Sequence, residues 1–292
     1  MRATCTSSHI SKRSYAGTTP REEDALVAGS SGFPRLITIP ISHFCEKARW
    51  ALDRTGVPYR EERHVQLVHR LYVRRAGGGT TAPVLVTADG VFTESRDIVA
   101  WADHRLDSAD RLIPEDAGAR ADVERLVTEF DNDLGPHGRR WIYWHVLPNR
   151  RVGVQYNCTG VPAWERRAFP VLLPLSAIAI RRLLDITPET VAASEEALWA
   201  SFDRVAGRLA DGRRFLVGDR FSAADLTFAA LAASVVLPEE YGVPLPQPEV
   251  LHEPLASGVR RFREHPAGAF ALELFRTERR LVGQARGGAT YC

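Results

Sequence analysis

The spacing of hydrophobic and polar positions divides this chain into two regions. Between residues 35 and 107, short apolar runs alternate with amphipathic stretches, whereas from 118 onward only helical spacing recurs. Leu36 to Ile39 alternates β-branched and apolar residues, which predicts a strand. Phe44, Ala48, Ala51 and Leu52 fall at helical intervals, so His43 to Arg54 is predicted helical and is ended by Gly56-Val57-Pro58. Tyr59 to Val65 is expected to be a second strand, parallel to the first, and Leu67 to Arg75 a short basic helix. After the Gly77-Gly78-Gly79 turn, Pro83 to Thr87 and Val91 to Thr93 form a hairpin closed by Asp89-Gly90. Ser95 to Leu106 is a helix with Ile98, Val99 and Trp101 inward. The predicted order is βαβ followed by ββα.

Asp107 to Gly118 has the composition of a linker. Val123, Leu126, Val127, Phe130 and Leu134 mark Ala119 to Trp144 as a long helix, broken or kinked near Gly135-Pro136. Leu147 to Val161 carries Pro, Asn, Gly and a lone Cys158 where a helix partner should continue, so an insertion or lid is expected there. Phe169 to Ile180 is apolar and is expected to be a buried helix despite Pro170 and Pro174. Pro188 to Leu209 is a helix capped by Thr187 with proline at its first position. Ser222 and Asp225 form a carboxylate version of the capping box, bracketed by Phe221 and Leu226 as a hydrophobic staple. Leu251 to Leu281 supplies closing helices.

A length of 292 residues suggests two domains with a sizeable core. A net charge of +2 gives no ground for a nucleic-acid partner. The apolar segments are shorter than the ~20 residues a membrane span needs, so no membrane role is expected. Cys5, Cys45, Cys158 and Cys292 are scattered, with no metal-ligand spacing. Neither a disulfide framework nor a metal site is expected, and a cytoplasmic location is the default. Residues 1–34, rich in Ser, Thr, Arg and Gly, are expected to be a disordered extension, and 284–292 a flexible tail.

Two segments carry candidate chemistry. At Ile39-Pro40-Ile41-Ser42-His43-Phe44-Cys45 a strand breaks and a helix begins at once. This sets the Ser42 hydroxyl, and one turn later the Cys45 thiol, at a helix N-terminus, where unpaired N–H groups and the helix dipole favour an anion or thiolate. At Thr81-Ala82-Pro83-Val84 a proline opens a strand, a position suited to a cis peptide.

Through these segments the chain resembles the cytosolic-type glutathione S-transferases, in the serine-type, bacterial-like branch. Ser42, then Lys47 and Arg49, then Ala51-Leu52 matches that family's first motif. Ala82-Pro83 matches its cis-proline, Glu94-Ser95 its acidic or amide residue followed by serine, and Val217 to Leu226 its late helix cap. The matches occur in order across roughly residues 35–283. The resemblance implies an α+β fold: a thioredoxin-like glutathione-binding domain at 35–107, followed by an all-helical domain at 118–283. It implies glutathione as co-substrate without a metal, a small hydrophobic electrophile, a homodimer and a role in detoxification.

The same resemblance assigns residues. Ser42 would donate a hydrogen bond to the glutathione sulfur, although a plain N-cap is the simpler reading of a serine there. Ala82 and Pro83 would hold the cysteinyl part, and Glu94 and Ser95 the γ-glutamyl end. Cys45 is either a thiol able to form a mixed disulfide or a small core residue. Trp141, Tyr143 and Trp144, with His43, are candidates for the electrophile pocket; as aromatics at mixed spacing they fit a core equally well. The chain departs from the family pattern at Thr81, where a Lys or Gln often meets the glycyl carboxylate; Arg70, Arg74, Arg75 or Lys47 could compensate. Conjugation, isomerisation and dehalogenation all remain open. So do a non-catalytic ligand-binding or regulatory protein of the same fold and a Cys45-based thiol oxidoreductase.

Overall fold

The computed structural model describes residues 32–279; the expected tail at 284–292, and the expected extension up to residue 31, lie outside the described residues. Strand β1 (Arg35–Thr38) pairs in parallel with β2 (Arg60–Arg63) and antiparallel with β3 (Val84–Thr87), which pairs antiparallel with β4 (Gly90–Phe92). The sheet order is β2-β1-β3-β4. Helix α1 (His43–Thr55) links β1 to β2 and ends on Gly56 at φ 68°, a left-handed position that favours glycine. Helix α2 (His69–Arg75) follows β2, and α3 (Ser95–Asp103) follows β4 and packs on α1. The βαβ-ββα expectation therefore stands, with element bounds shifted by up to a few residues.

This topology places the site. β1 and β4 run the same way, because each is antiparallel to β3. Helices α1 and α3 therefore start at one end of the sheet. β3 begins at that end, and β2 delivers the chain to it. Ser42, the Ala82-Pro83 junction, Glu94-Ser95 and the segment after Arg63 thus share one edge although they are distant in sequence.

The helical region opens with α4 (Ala117–Glu129), capped by Asp116, whose carboxylate accepts from the Ala119 N–H at 2.8 Å. A five-residue π-helical turn at Phe130–Leu134 joins it to α5 (Gly135–Val146). The expected break near Gly135-Pro136 is thus a local rewinding of a helix that continues. Gly135 is small because Phe44 lies against it: a Cβ there would sit 2.5 Å from the ring.

The expected insertion extends further than 147–161. It comprises α6 (Arg150–Asn157) and α7 (Ala163–Leu183). Helix α7 runs through Pro170 and Pro174. Proline at 174 cannot donate to the Pro170 carbonyl, which instead accepts from Arg150 Nη2 at 3.0 Å. Contrary to expectation, only one stripe of this helix is buried: Phe169, Leu173 and Ser176 face inward, whereas Val171, Leu175 and Ile178 are exposed. Val65, Cys158, Val161, Phe169 and Leu173 form a small apolar cluster under it. Glu165 fastens the insertion to the sheet end, accepting from the Val65 N–H at 2.9 Å and lying 2.6 Å from His64 Nδ1.

Helix α8 (Pro188–Leu209) is antiparallel to α5 and packs on it. Helix α9 (Ala223–Val236) is buried along its whole length, and packs on α1, α4, α5 and α11 (Pro266–Leu274). Its start is the expected capping box: Asp225 accepts from the Ser222 N–H at 2.9 Å and, in addition, from the Leu216 N–H at 2.8 Å. Helix α10 (Leu255–Glu264) and α11 close the bundle. Described residues from Phe33 onward form one compact unit. No helix among them is long and apolar enough to cross a membrane.

Candidate functional site

Four buried charges fix the turn that carries Ser42. Arg49 is 2% exposed and donates to Glu46 at 2.7 Å, to Glu61 at 2.8 Å, and to the carbonyls of Pro40 at 2.6 Å and Ile39 at 3.3 Å. Arg279 reaches back from the end of the helical region to Glu46 at 2.9 Å and to Asp53 at 2.7 Å. Tyr241 donates to the Ile41 carbonyl at 3.2 Å, and the Gly242 N–H donates to Glu46 at 3.1 Å. Burial alone would raise the Glu61 carboxyl, but Arg49 and then Arg63 outweigh it and hold Glu61 at about 2. The helical domain therefore grips the β1–α1 turn through charge and backbone contacts together.

Ser42 is the N-cap of α1, its oxygen accepting from the Cys45 N–H at 3.4 Å. It also lines a cavity; capping engages only its oxygen, and its hydroxyl contacts the Cys45 sulfur, so it serves a ligand in that space by turning away from this thiol. Of the two readings of Cys45, its placement matches the small core residue and not the reactive thiol. It is fully buried, its sulfur accepts from the Ile39 N–H at 3.4 Å, and it does not line the cavity. Burial raises the thiol above its ordinary value; the opposing pull of Arg49 and the Ser42 contact is smaller. Desolvation here defeats the thiolate preference that a helix start confers in water.

The cavity lies between the sheet end and α5, α6, α7 and α9. Its walls include Ile41, Ile142, Val146, Val152, Ile180 and Leu237. Of the expected pocket side chains, His43 and Tyr143 line it, but Trp141 and Trp144 do not. Trp141 is 1% exposed and stacks edge-on against Phe262 in the core. Trp144 packs against the core and lies beneath Arg181. The helix period explains the division: Arg139, Ile142, Tyr143 and Val146 share the cavity face of α5, and positions 141 and 144 lie off it.

The Ala82-Pro83 peptide is cis. Ala82 lines the cavity beyond the β1–β3 ladder, and its backbone N–H and C=O have no partner among the described residues. Thr80, Thr81 and Arg70 line the same cavity. Burial holds His69 at about 4, so its ring is neutral near pH 7, and a neutral Nε2–H facing the Thr80 carbonyl at 3.2 Å donates to it. Glu94 stands at the N-cap of α3, exposed and making no capping bond; Ser95 is buried at the first helical position. Neither lines the cavity. Lys47 is wholly buried and held by both oxygens of Asp131 at 2.7 and 2.8 Å, so it is not available to a ligand.

Sequence reasoning missed Arg139, Gln66 and Asn157. Gln66 donates to Tyr143 at 3.4 Å and to Asn157, tying the insertion to the cavity rim. Arg139 had one usable signal, its position a single helical turn before Tyr143. Among the described residues, no group of three or more His, Cys, Asp or Glu could hold a metal ion.

Two family profiles match the chain: "Glutathione S-transferase, N-terminal domain" over residues 36–109, and "Glutathione S-transferase, C-terminal domain" over 188–265. Together they span more than half of it, and α6 and α7 belong to neither segment. No curated protein matches the sequence. Similar solved structures include a glutathione S-transferase from Methylobacillus flagellatus with GSH bound, at 17% identity and TM-score 0.56, covering 85% of this chain and 98% of that one. Another is a glutathione S-transferase from Rhodospirillum rubrum, at 20% identity and TM-score 0.55, covering 86% and 91%. A third is glutathione transferase F2 from Populus trichocarpa, at 16% identity and TM-score 0.56, covering 88% and 100%. At these identities the likeness establishes the fold.

Proposed function

The chain belongs to the glutathione S-transferase family, and on that premise we propose that it activates the glutathione thiol for attack on a small hydrophobic electrophile. The observation that carries this reading is a juxtaposition on one largely apolar cavity: the Ser42 hydroxyl, the unpaired backbone of Ala82, and Arg70. The Ser42 oxygen accepts from the helix and donates its hydrogen to the thiol sulfur, which lowers the thiol pKa and aims the thiolate. The unpaired N–H and C=O of Ala82 pair with the cysteinyl backbone as a strand edge would. Arg70 takes the glycyl carboxylate, the task left open by Thr81 and closed to Lys47 by its Asp131 partner. Glu94 and the start of α3 receive the ammonium and carboxylate of the γ-glutamyl end. The apolar walls of Ile142, Val146, Val152 and Ile180 receive the electrophile. A homodimeric, cytoplasmic, detoxifying protein is the setting this reading implies.

Calorimetric titration with glutathione tests it. Wild type should bind in the micromolar to low-millimolar range. Arg70→Met should weaken binding about tenfold or more, the weight of one charge-assisted contact. Ser42→Ala should keep binding but lose about 10- to 100-fold in conjugation rate. Absence of wild-type binding at ~10 mM glutathione, well above ordinary KM values, would refute the proposal.

A further inference from the structure

The second half of the cavity has a charge with nothing to answer it. Arg139 lines the cavity from α5 and makes no hydrogen bond or ion pair with any described residue. Its Nε is buried without a partner, and the Phe44 ring lies 6.0 Å from its guanidinium. The next residue shows the contrast: Arg140 donates to the Leu184 carbonyl and to Ser194 Oγ, both at 2.9 Å. Among the described residues, no aspartate or glutamate lines the cavity. His43 beside it is buried, with an unpartnered Nε2, and burial, then Arg139, pull the ring down to about 3, so it is neutral. Burial also lowers Arg139 itself, Tyr143 opposing and Arg140 adding to it. A partly buried guanidinium with an unpartnered Nε in an apolar wall carries a desolvation cost, and a ligand carboxylate relieves that cost while accepting two parallel N–H bonds.

We propose that Arg139 is the recognition site for a carboxylate on the second substrate, and that the natural electrophiles are hydrophobic organic acids. This rests on reading the cavity as the electrophile pocket. Arg70 is set apart from the role because it directly follows His69, which contacts the Thr80 carbonyl two residues before Ala82, where the thiol peptide would lie, whereas Arg139 shares a helix face with Ile142, Tyr143 and Val146. The apolar walls take the body of the acid and Arg139 its head. For an unsaturated acid, the step is addition of the thiolate sulfur to the β-carbon, followed by protonation of the α-carbon from solvent; nothing leaves. Arg139 is thus a specificity residue, with no part in proton transfer.

The test needs neither thiol nor turnover, so its failure is separate from failure of the transferase reading, which the glutathione titration decides. The full chain is titrated calorimetrically with 4-phenylbutanoate and with the uncharged 4-phenylbutanamide. The acid should bind about 10- to 100-fold tighter than the amide, the range for a charge-assisted pair. Arg139→Met should bring the two affinities within about twofold, and Arg139→Lys, which keeps the charge but loses the fork, should retain part of the preference. Equal wild-type affinities, no binding of either compound at about 10 mM, or an acid preference that survives Arg139→Met overturns the proposal.

Discussion

Replacing Arg49 by methionine tests the idea that the site is held in place from below. The side chain is 2% exposed, and its neighbours Glu46 and Glu61 are also buried. Methionine keeps the volume and removes the charge, leaving Glu46 with Arg279 and the Gly242 N–H, and Glu61 with Arg63 and Thr38. Breaking one partner of a buried ion pair costs about 3–5 kcal/mol. An independent route gives a similar figure. Glu61 is held at about 2 against an ordinary 4.5, which is worth about 3 kcal/mol at ~1.4 kcal/mol per tenfold, a value shared between Arg49 and Arg63. For a fold of this size the loss lowers Tm by roughly 6–20 °C. Because the folded-state value of Glu61 is depressed, its contribution is complete above about pH 4.5 and drains away as pH falls towards 2. Urea denaturation of wild type and Arg49→Met at pH 7, 4 and 3 measures both effects. The variant should be about 3–5 kcal/mol weaker at pH 7 and should lose less on acidification. A variant within about 1 kcal/mol of wild type at pH 7, or one with an undiminished acid dependence, would refute the reasoning. The freed Pro40 carbonyl also loosens the Ser42 turn, so glutathione turnover should fall with stability.

Other substitutions probe separate parts of the structure. Glu165→Ala removes the acceptor for the Val65 N–H and His64, so limited proteolysis should cut within 147–184 well before the rest of the fold opens; an unchanged cleavage map would show that the insertion is anchored otherwise. Asp225→Ala orphans the buried Leu216 and Ser222 N–H groups and should cost about 2–4 kcal/mol in denaturant unfolding, with glutathione affinity of the folded fraction retained. Cys45→Ser should leave thiol conjugation within about threefold of wild type and cost about 1 kcal/mol of stability; abolished turnover would restore the thiol oxidoreductase reading.

Local signals made much of the fold legible. The Thr187 cap with Pro188, the Ser222–Asp225 capping box, the glycine ending α1 and the Asp89-Gly90 turn are each decided within a few residues by backbone sterics and unpaired N–H groups. The parallel first pair and the hairpin followed as well; the pairing of β1 with β3 that joins them appeared only in the structure. Ser42 and Ala82-Pro83 were found for the same reason: a strand-to-helix break and a proline at a strand start are local events.

Side-chain destinations were decided in three dimensions. Cys45 and Ser42 are one turn apart, yet one faces the core and the other the cavity, and dielectric environment rather than helix position sets the thiol. Trp141 and Tyr143 are two residues apart on a helix with 3.6 residues per turn, so they point to different partners, and only the neighbouring helices determine which side holds the cavity. Lys47 looked like a ligand group until Asp131, 84 residues away, was seen to hold it. Arg139 is one arginine among many in the sequence, and its lack of an acidic partner among the described residues shows only once the cavity walls around it are assembled. Local backbone chemistry therefore fixed where elements begin and end. Long-range packing alone fixed which side chains meet, because burial and charge pairing depend on residues that the chain brings together only after those elements have formed.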